Sequence, residues 1–185
     1  MQAPTKDDAS KLKRALKYLN GTKNLALRLI QDPSNTVHAY IDASYGVHND
    51  YRSHTGMLIT LGAGVVDARS IKQKLNTKSS TEAELVGLSD MCGKAIWHRE
   101  FLAGQGLNPP PARIYQDNQS TMAMINNGAS TSDRTRHVAI RYYWVKDRND
   151  KKEVEVVYCP THEMVADLLT KPLVGEAFIR LRMQC

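Results

Sequence analysis

Apolar positions recur along this chain with two periods. In residues 9–19, Leu12, Ala15, Leu16 and Leu19 fall at helical spacing among lysines and Arg14, and Asn20-Gly21 supplies a stop; the pattern predicts an amphipathic helix. Beyond the turn cluster Asp32-Pro33-Ser34-Asn35, Val37, Ala39 and Ile41 alternate with His38, Tyr40 and Asp42, which predicts a strand over 36–42 ending in a carboxylate. Residues 55–61 and 65–71 flank Gly62-Ala63-Gly64, a hairpin signature. Three strands in antiparallel succession follow from this.

A helical pattern then takes over. Ser79-Ser80-Thr81 offers capping hydroxyls, Glu82 and Glu84 lie in the first turn, and the pattern runs to about Ala103 before Gly104 and Gly106. After Pro109-Pro110-Pro111, residues 112–116 read as a short strand delivering Asp117, and a helix is expected from about Asn118 to Asn126. Residues 138–145 satisfy both periods: Val138, Tyr142 and Val145 fit a helix, whereas Val138, Ile140, Tyr142 and Trp144 fit a strand, and length favours the helix. Residues 153–158 alternate as a strand, Pro160-Thr161 breaks it, and helical spacing resumes over 163–170 until Pro172. The order predicts an α/β fold with a mixed five-stranded sheet, a three-strand antiparallel meander plus two further strands, flanked by helices.

Composition narrows the picture. The 185 residues are 42% hydrophobic, enough for one core, and the lack of any long apolar run argues against a signal peptide or a membrane span. Cys92, Cys159 and Cys185 are odd in number and far apart, which argues against a disulfide framework or a zinc site and fits a reducing compartment. The net charge is +6, and seven cations between Arg134 and Lys152 face only Asp147 and Asp150. Such a cluster suits a polyanion, and equally a solvated face.

Four acids stand at element boundaries: Asp42 at the end of the first strand, Glu84 on the long helix, Asp117 at the end of the fourth strand and Asp167 on the last helix. Sites in open α/β sheets form outside strand ends near a topological switch point, and the first and fourth strands are neighbours across such a point if the meander lies to one side. Glu84 is preferred to Glu82 because it shares a stripe with Leu88, Met91, Ala95 and Leu102, whereas Glu82 lies with Ser89, Gly93 and Glu100. An acid on a core-facing stripe needs compensation, which a metal supplies. Oxygen ligands without a Cys/His set point to two Mg²⁺ or Mn²⁺ ions and phosphodiester chemistry; the plainer reading is four unrelated caps and surface charges.

Several segments carry a family resemblance: Tyr40-Ile-Asp-Ala-Ser44, Arg52-Ser-His-Thr-Gly56, Lys72-Gln-Lys74, Ser79-Ser-Thr-Glu-Ala-Glu84, Asp117-Asn-Gln-Ser120, Arg136-His137 with Ile140-Arg141-Tyr142, and Ala166-Asp-Leu-Leu-Thr-Lys-Pro-Leu173. In this order they resemble the ribonuclease H domain of copia-type LTR retrotransposon polyproteins, over about residues 10–174. The resemblance implies a ribonuclease H-like fold over 36–174, a connecting segment over 1–35 from a preceding reverse transcriptase, and a C-terminal tail over 175–185. It implies hydrolysis of the RNA strand of RNA/DNA hybrids, with Asp42, Glu84, Asp117 and Asp167 as the ligands of two ions. One departure is Asp42-Ala-Ser-Tyr45 where copia elements usually carry Asp-Ala-Asp-Trp. His162 stands five residues before Asp167 and suits a proton shuttle, or is an exposed loop histidine. Ser44, Asn118 and Gln119 beside the acids, with Ser79, Ser80, Arg134, Arg136, His137 and Arg141, are the candidate nucleic-acid contacts.

The expected partners are an RNA/DNA hybrid and the upstream reverse transcriptase domain of the same polyprotein, with no membrane and a monomeric isolated domain. The expected location is cytoplasmic, in a virus-like particle, with the nucleus as second compartment. No Tyr-x-Asp-Asp motif is present, so polymerase activity is not expected. The rival readings are a catalytically inactive nucleic-acid-binding remnant, which four intact acids disfavour, and a transposase or integrase core, which residues 79–84 and 166–173 do not suit.

Overall fold

The chain is described as a computed structural model covering residues 3–127 and 136–185, with side chains described for 3–126 and 139–185. Its first helix, α1 (Lys6–Thr22), starts at a capping box in which Thr5 Oγ1 accepts from the Asp8 amide and Asp8 reaches back to the Thr5 amide. None of its residues is buried, and Leu12, Leu16 and Leu19 face solvent. The amphipathic pattern thus yields the expected helix without covering its apolar stripe. A short β1 (Ile30–Gln31) follows and pairs with β4 (Gly62–Ala63).

The main sheet contains β2 (His38–Ser44), β3 (His54–Thr60), β5 (Val65–Lys72), β6 (Ala112–Gln116) and β7 (Val154–Tyr158), in the order β5-β3-β2-β6-β7. The first three form the antiparallel meander, and β6 and β7 add in parallel. The strand expected over 36–42 lies two residues later, so Asp42 sits inside β2 rather than at its end. The Gly62-Ala63-Gly64 hairpin has positive φ at both glycines, and a Cβ on Gly62 would lie 2.0 Å from the Ile30 carbonyl oxygen; side strand β1 lies hard against this turn.

Helices α2 (Ser80–Gly104), α3 (Gln119–Asn127) and α4 (Arg136–Asp150) cover the sheet face bearing Ala39 and Ile41. Ser79 caps α2, as its hydroxyl accepts from the Glu82 amide, and Glu82 accepts in turn from the Lys78 amide. Residues Ala83 to Leu88 are all buried, because this stretch has the sheet on one side and Met124 and Tyr142 against Leu85 on the other. The ambiguous residues 138–145 are helical: Tyr142 and Val145 face inward at helical spacing, and Ile140 and Trp144 are exposed.

The C-terminal region departs from expectation. The single helix expected over 163–170 is a 3-10 turn, Thr161–Glu163, and a one-turn helix α5 (Asp167–Thr170), because Met164, Val165 and Ala166 are drawn into the core as irregular chain. The expected tail over 175–185 contains helix α6 (Gly175–Arg182), which buries Leu181. Its Phe178 ring meets Tyr18 of α1 edge-on, 5.8 Å between centroids.

α5 packs directly on β3 at Gly56. A Cβ there would lie 2.8 Å from Thr170 Cγ2 and 2.9 Å from both the Ala166 carbonyl oxygen and Leu169 Cβ, so any side chain must push α5 away. Gly56→Ala is therefore expected to destabilise the protein by about 1–3 kcal/mol. Gly104→Ala, at a helical position with nothing within 4 Å, is expected to be neutral or stabilising. Urea denaturation of the two variants checks this; equal effects would show that α5 does not depend on the close approach.

Candidate active site

Tyr40 of β2 pairs with Tyr115 of β6 in parallel register, and two residues beyond that pair stand Asp42, inside β2, and Asp117, the first residue after β6. Strand β2 is the point where the sheet changes from antiparallel to parallel, so these carboxylates meet at the switch point. Glu84 enters from the second turn of α2. One carboxylate oxygen from each of Asp42, Glu84 and Asp117 lies within 4.8 Å of the others; Asp42 and Glu84 are buried and Asp117 is half-buried.

Local hydrogen bonds hold the three in place. The fully buried Gln116 donates from Nε2 to Glu84 Oε2 at 3.3 Å, while its Oε1 accepts from the Asp117 and Asn118 amides at 2.9 and 3.0 Å. Thr161, in the 3-10 turn, donates to Asp117 Oδ2 at 2.8 Å, and Thr170 donates to Asp42 Oδ2. Each aspartate thus has one oxygen engaged by a threonine. Burial, followed by the charges of Asp42 and Asp117, pushes Glu84 up to about 9, so without a cation its carboxyl is neutral at pH 7.

Asp167 lies apart from this cluster. It is buried at the start of α5, and Lys171 Nζ sits 2.6 Å from its Oδ1 and 3.7 Å from Asp42 Oδ1. Burial raises the Asp167 carboxyl despite that contact. Burial acts against the Lys171 ammonium too, but Asp167, Asp42 and Asp117 outweigh it and hold the group above its usual range. The donor set fits a divalent cation: hard oxygens from three converging acids, one of them neutral only for want of positive charge.

His162 is exposed, its Nε2 3.4 Å from Glu163 Oε1, on the same turn as the Thr161 that holds Asp117. Ser44 donates to the Thr170 carbonyl at 3.1 Å, and Asn118 Oδ1 accepts from the Thr121 amide at 2.9 Å as a cap for α3. Gln119, Ser79 and Ser80 are exposed. Arg134 lies outside the described residues, as do the side chains of Arg136 and His137. Arg141 pairs with Asp90, Lys146 with Asp150, Arg148 with Asp147 and Glu153, and Lys151 with Asp147. A phosphate approaching these four must compete with carboxylates already in contact.

Sequence reasoning missed Gln116, Thr161, Thr170 and Lys171. The Asp167–Lys171 spacing of four was a readable signal, since such residues face one another on a helical turn. Gln116 carried none: at the end of a strand its inward direction depends on register with β2.

No family model matches the chain. It is 36% identical over 181 residues to the retrovirus-related Pol polyprotein from transposon RE1 of Arabidopsis thaliana, covering 96% of this chain and 12% of that protein. The corresponding polyprotein from transposon TNT 1-94 of Nicotiana tabacum is 32% identical over 173 residues, covering 92% of this chain and 13% of the relative. The chain thus spans about one eighth of the curated relatives it matches. Among solved structures, LC11-RNase H1 in complex with RNA/DNA hybrid superposes with TM-score 0.53 at 14% identity, covering 77% of this chain and 99% of that one. Prototype foamy virus protease-reverse transcriptase gives TM-score 0.50 at 14% identity, over 81% of this chain and 23% of that one. The chain is homologous to a segment of the retrovirus-related Pol polyproteins of copia-type transposons, and its fold is that of ribonuclease H.

Proposed function

We propose that this chain is a ribonuclease H that hydrolyses the RNA strand of RNA/DNA hybrids with two Mg²⁺ or Mn²⁺ ions, within a polyprotein that also carries a reverse transcriptase. The observation that carries this reading is the convergence of Asp42, Glu84 and Asp117 at the switch point of the sheet. Homology to transposon Pol polyproteins supports it. Two solved structures of the same fold are described respectively as a complex with RNA/DNA hybrid and as a protease-reverse transcriptase, which supports the two partners.

Asp42, Glu84, Asp117 and Asp167 would hold the ions. When bound, the ions supply activation of water and stabilisation of charge on the leaving oxygen. The chain's own groups do the rest. Thr161 and Thr170 each donate to one oxygen of Asp117 and Asp42 and so fix the orientation of the two carboxylates. Gln116 fixes Glu84 and the end of β6 together, and Glu84 would hold a cation as the carboxylate, without the proton it carries in the metal-free chain. His162, exposed beside Asp117's threonine, is placed to exchange a proton with solvent. Ser44, Asn118 and Gln119, close in sequence to the acids, would be the groups to meet a minor-groove 2′-hydroxyl.

A labelled RNA/DNA hybrid, single-stranded RNA and double-stranded DNA, each with Mg²⁺, Mn²⁺ or EDTA, test the reading: only the hybrid should be cut, and only with metal. Asp42→Asn and Asp117→Asn should each abolish cutting while circular dichroism stays unchanged. Cutting by either folded variant at the wild-type rate would sink the two-ion assignment.

Glu84 and Glu82 provide an internal comparison. Glu84→Gln should abolish cleavage, and Glu82→Gln should keep most of it at a small loss of stability, because Glu82 serves the start of α2.

Metal-free stability gives an independent check. The Glu84 carboxyl lies at about 9 in the folded chain against 4.5 for the free group, so its contribution is complete below about 4.5 and is lost as pH rises towards 9. Gln does not titrate. In EDTA, the melting temperature of Glu84→Gln relative to wild type should therefore climb across that window; a flat difference would mean that Glu84 is not buried among charges.

A further inference from the structure

Two sides of Asp42 differ in charge balance. Toward Glu84 and Asp117 it faces two more acids, neither of which has an ion-pair partner among the described residues. Toward Asp167 it faces the ammonium of Lys171, which lies 2.6 Å from one carboxylate and 3.7 Å from the other. A divalent ion entering the first side adds charge where none is present. An ion bridging Asp42 and Asp167 must take the place of a cation that the chain supplies.

We propose that Lys171 is a resident counter-ion that competes with the second divalent ion for Asp42 and Asp167, so that the two ions bind with unequal affinity. The inference rests on reading the acids as a metal centre. The surrounding structure makes Lys171 suited to the part. Its backbone is held at the C-terminal end of α5 by a bond from its amide to the Asp167 carbonyl, and Pro172 follows. Its side chain is 35% exposed, so the ammonium can swing to water while α5 stays in place. In the metal-free protein it offsets the repulsion between two buried carboxylates, Asp42 and Asp167, and thereby keeps α5 on the sheet. Lys171 is a positioning residue: it acts on the site through the acids it holds.

Mn²⁺ titration of the whole chain, followed by calorimetry and by the electron paramagnetic resonance of free Mn²⁺, reads this without substrate. Wild type should show one tight ion and one weak ion. Lys171→Met, which keeps the aliphatic stem and removes the charge, should tighten the second ion by about tenfold or more, the scale of one charge-assisted contact. Lys171→Arg should keep it weak, and in EDTA Lys171→Met should melt below wild type, with Mn²⁺ restoring it. Lys171→Gln provides the same test if the Met variant does not fold. A second ion bound no more tightly in folded Met and Gln variants than in wild type would overturn the proposal, leaving Lys171 as a helix-end contact alone. Failure of wild type and variants alike to bind any Mn²⁺ would instead overturn the metal-centre reading beneath it.

Discussion

Carboxylates that share a few ångströms of protein interior repel one another and lose their hydration, and the rest of this structure can be understood as the framework that holds them there regardless. Asp42, Glu84 and Asp117 come from a strand, a helix and the residue just past a neighbouring strand, with oxygens within 4.8 Å. The repulsion is met in three ways. Glu84 is neutralised by its own proton, Asp42 and Asp117 each accept from a threonine hydroxyl, and Lys171 brings an ammonium to the far side of Asp42. All three are cheaper in free energy than leaving bare charges in a low-dielectric interior.

The scaffold behind this is stiff where it must be. The meander, the parallel addition of β6 and β7 and the buried stretch Ala83–Leu88 of α2 position Asp42 and Glu84 on regular elements and Asp117 just past the end of β6. Gln116, with no exposed surface, ties strand end and helix together through three hydrogen bonds. The fourth acid is carried differently. Asp167 sits on a single helical turn that reaches the sheet only because Gly56 has no side chain, and that turn is laced to β2 through Thr170 and Lys171. The fourth acid's place thus depends on contacts that a single turn makes with the sheet.

Charge illustrates the same division between what is local and what is not. The run of cations between Arg134 and Lys152 reads in one dimension as an unbalanced polybasic surface. Folded, Arg141 meets Asp90 from α2, and Arg148 meets Glu153 at the start of β7, so acids remote from the run or just beyond it balance part of it. A phosphate approaching this helix would therefore compete with existing pairs.

Periodicity determined much of the outcome from the sequence alone. Alternation about Val37, Ala39 and Ile41 put Asp42 on the opposite face of its strand from the core; the helical stripe separated buried Glu84 from Glu82, which caps its helix; and the turn residues marked the hairpin. These are properties of one element and its immediate neighbours, encoded in the spacing of side chains. What the tertiary structure alone decided was which elements meet. It set the parallel register that places Asp42 level with Asp117, drew Met164 to Ala166 into the core and so left the last stretch as a one-turn helix, left the apolar stripe of α1 uncovered, and brought Lys171, whose partner Asp167 lies on its own helical turn, against Asp42 from the other end of the chain. Burial sense is written locally, but register and close approach depend on the fit of surfaces far apart in sequence, which no local pattern contains.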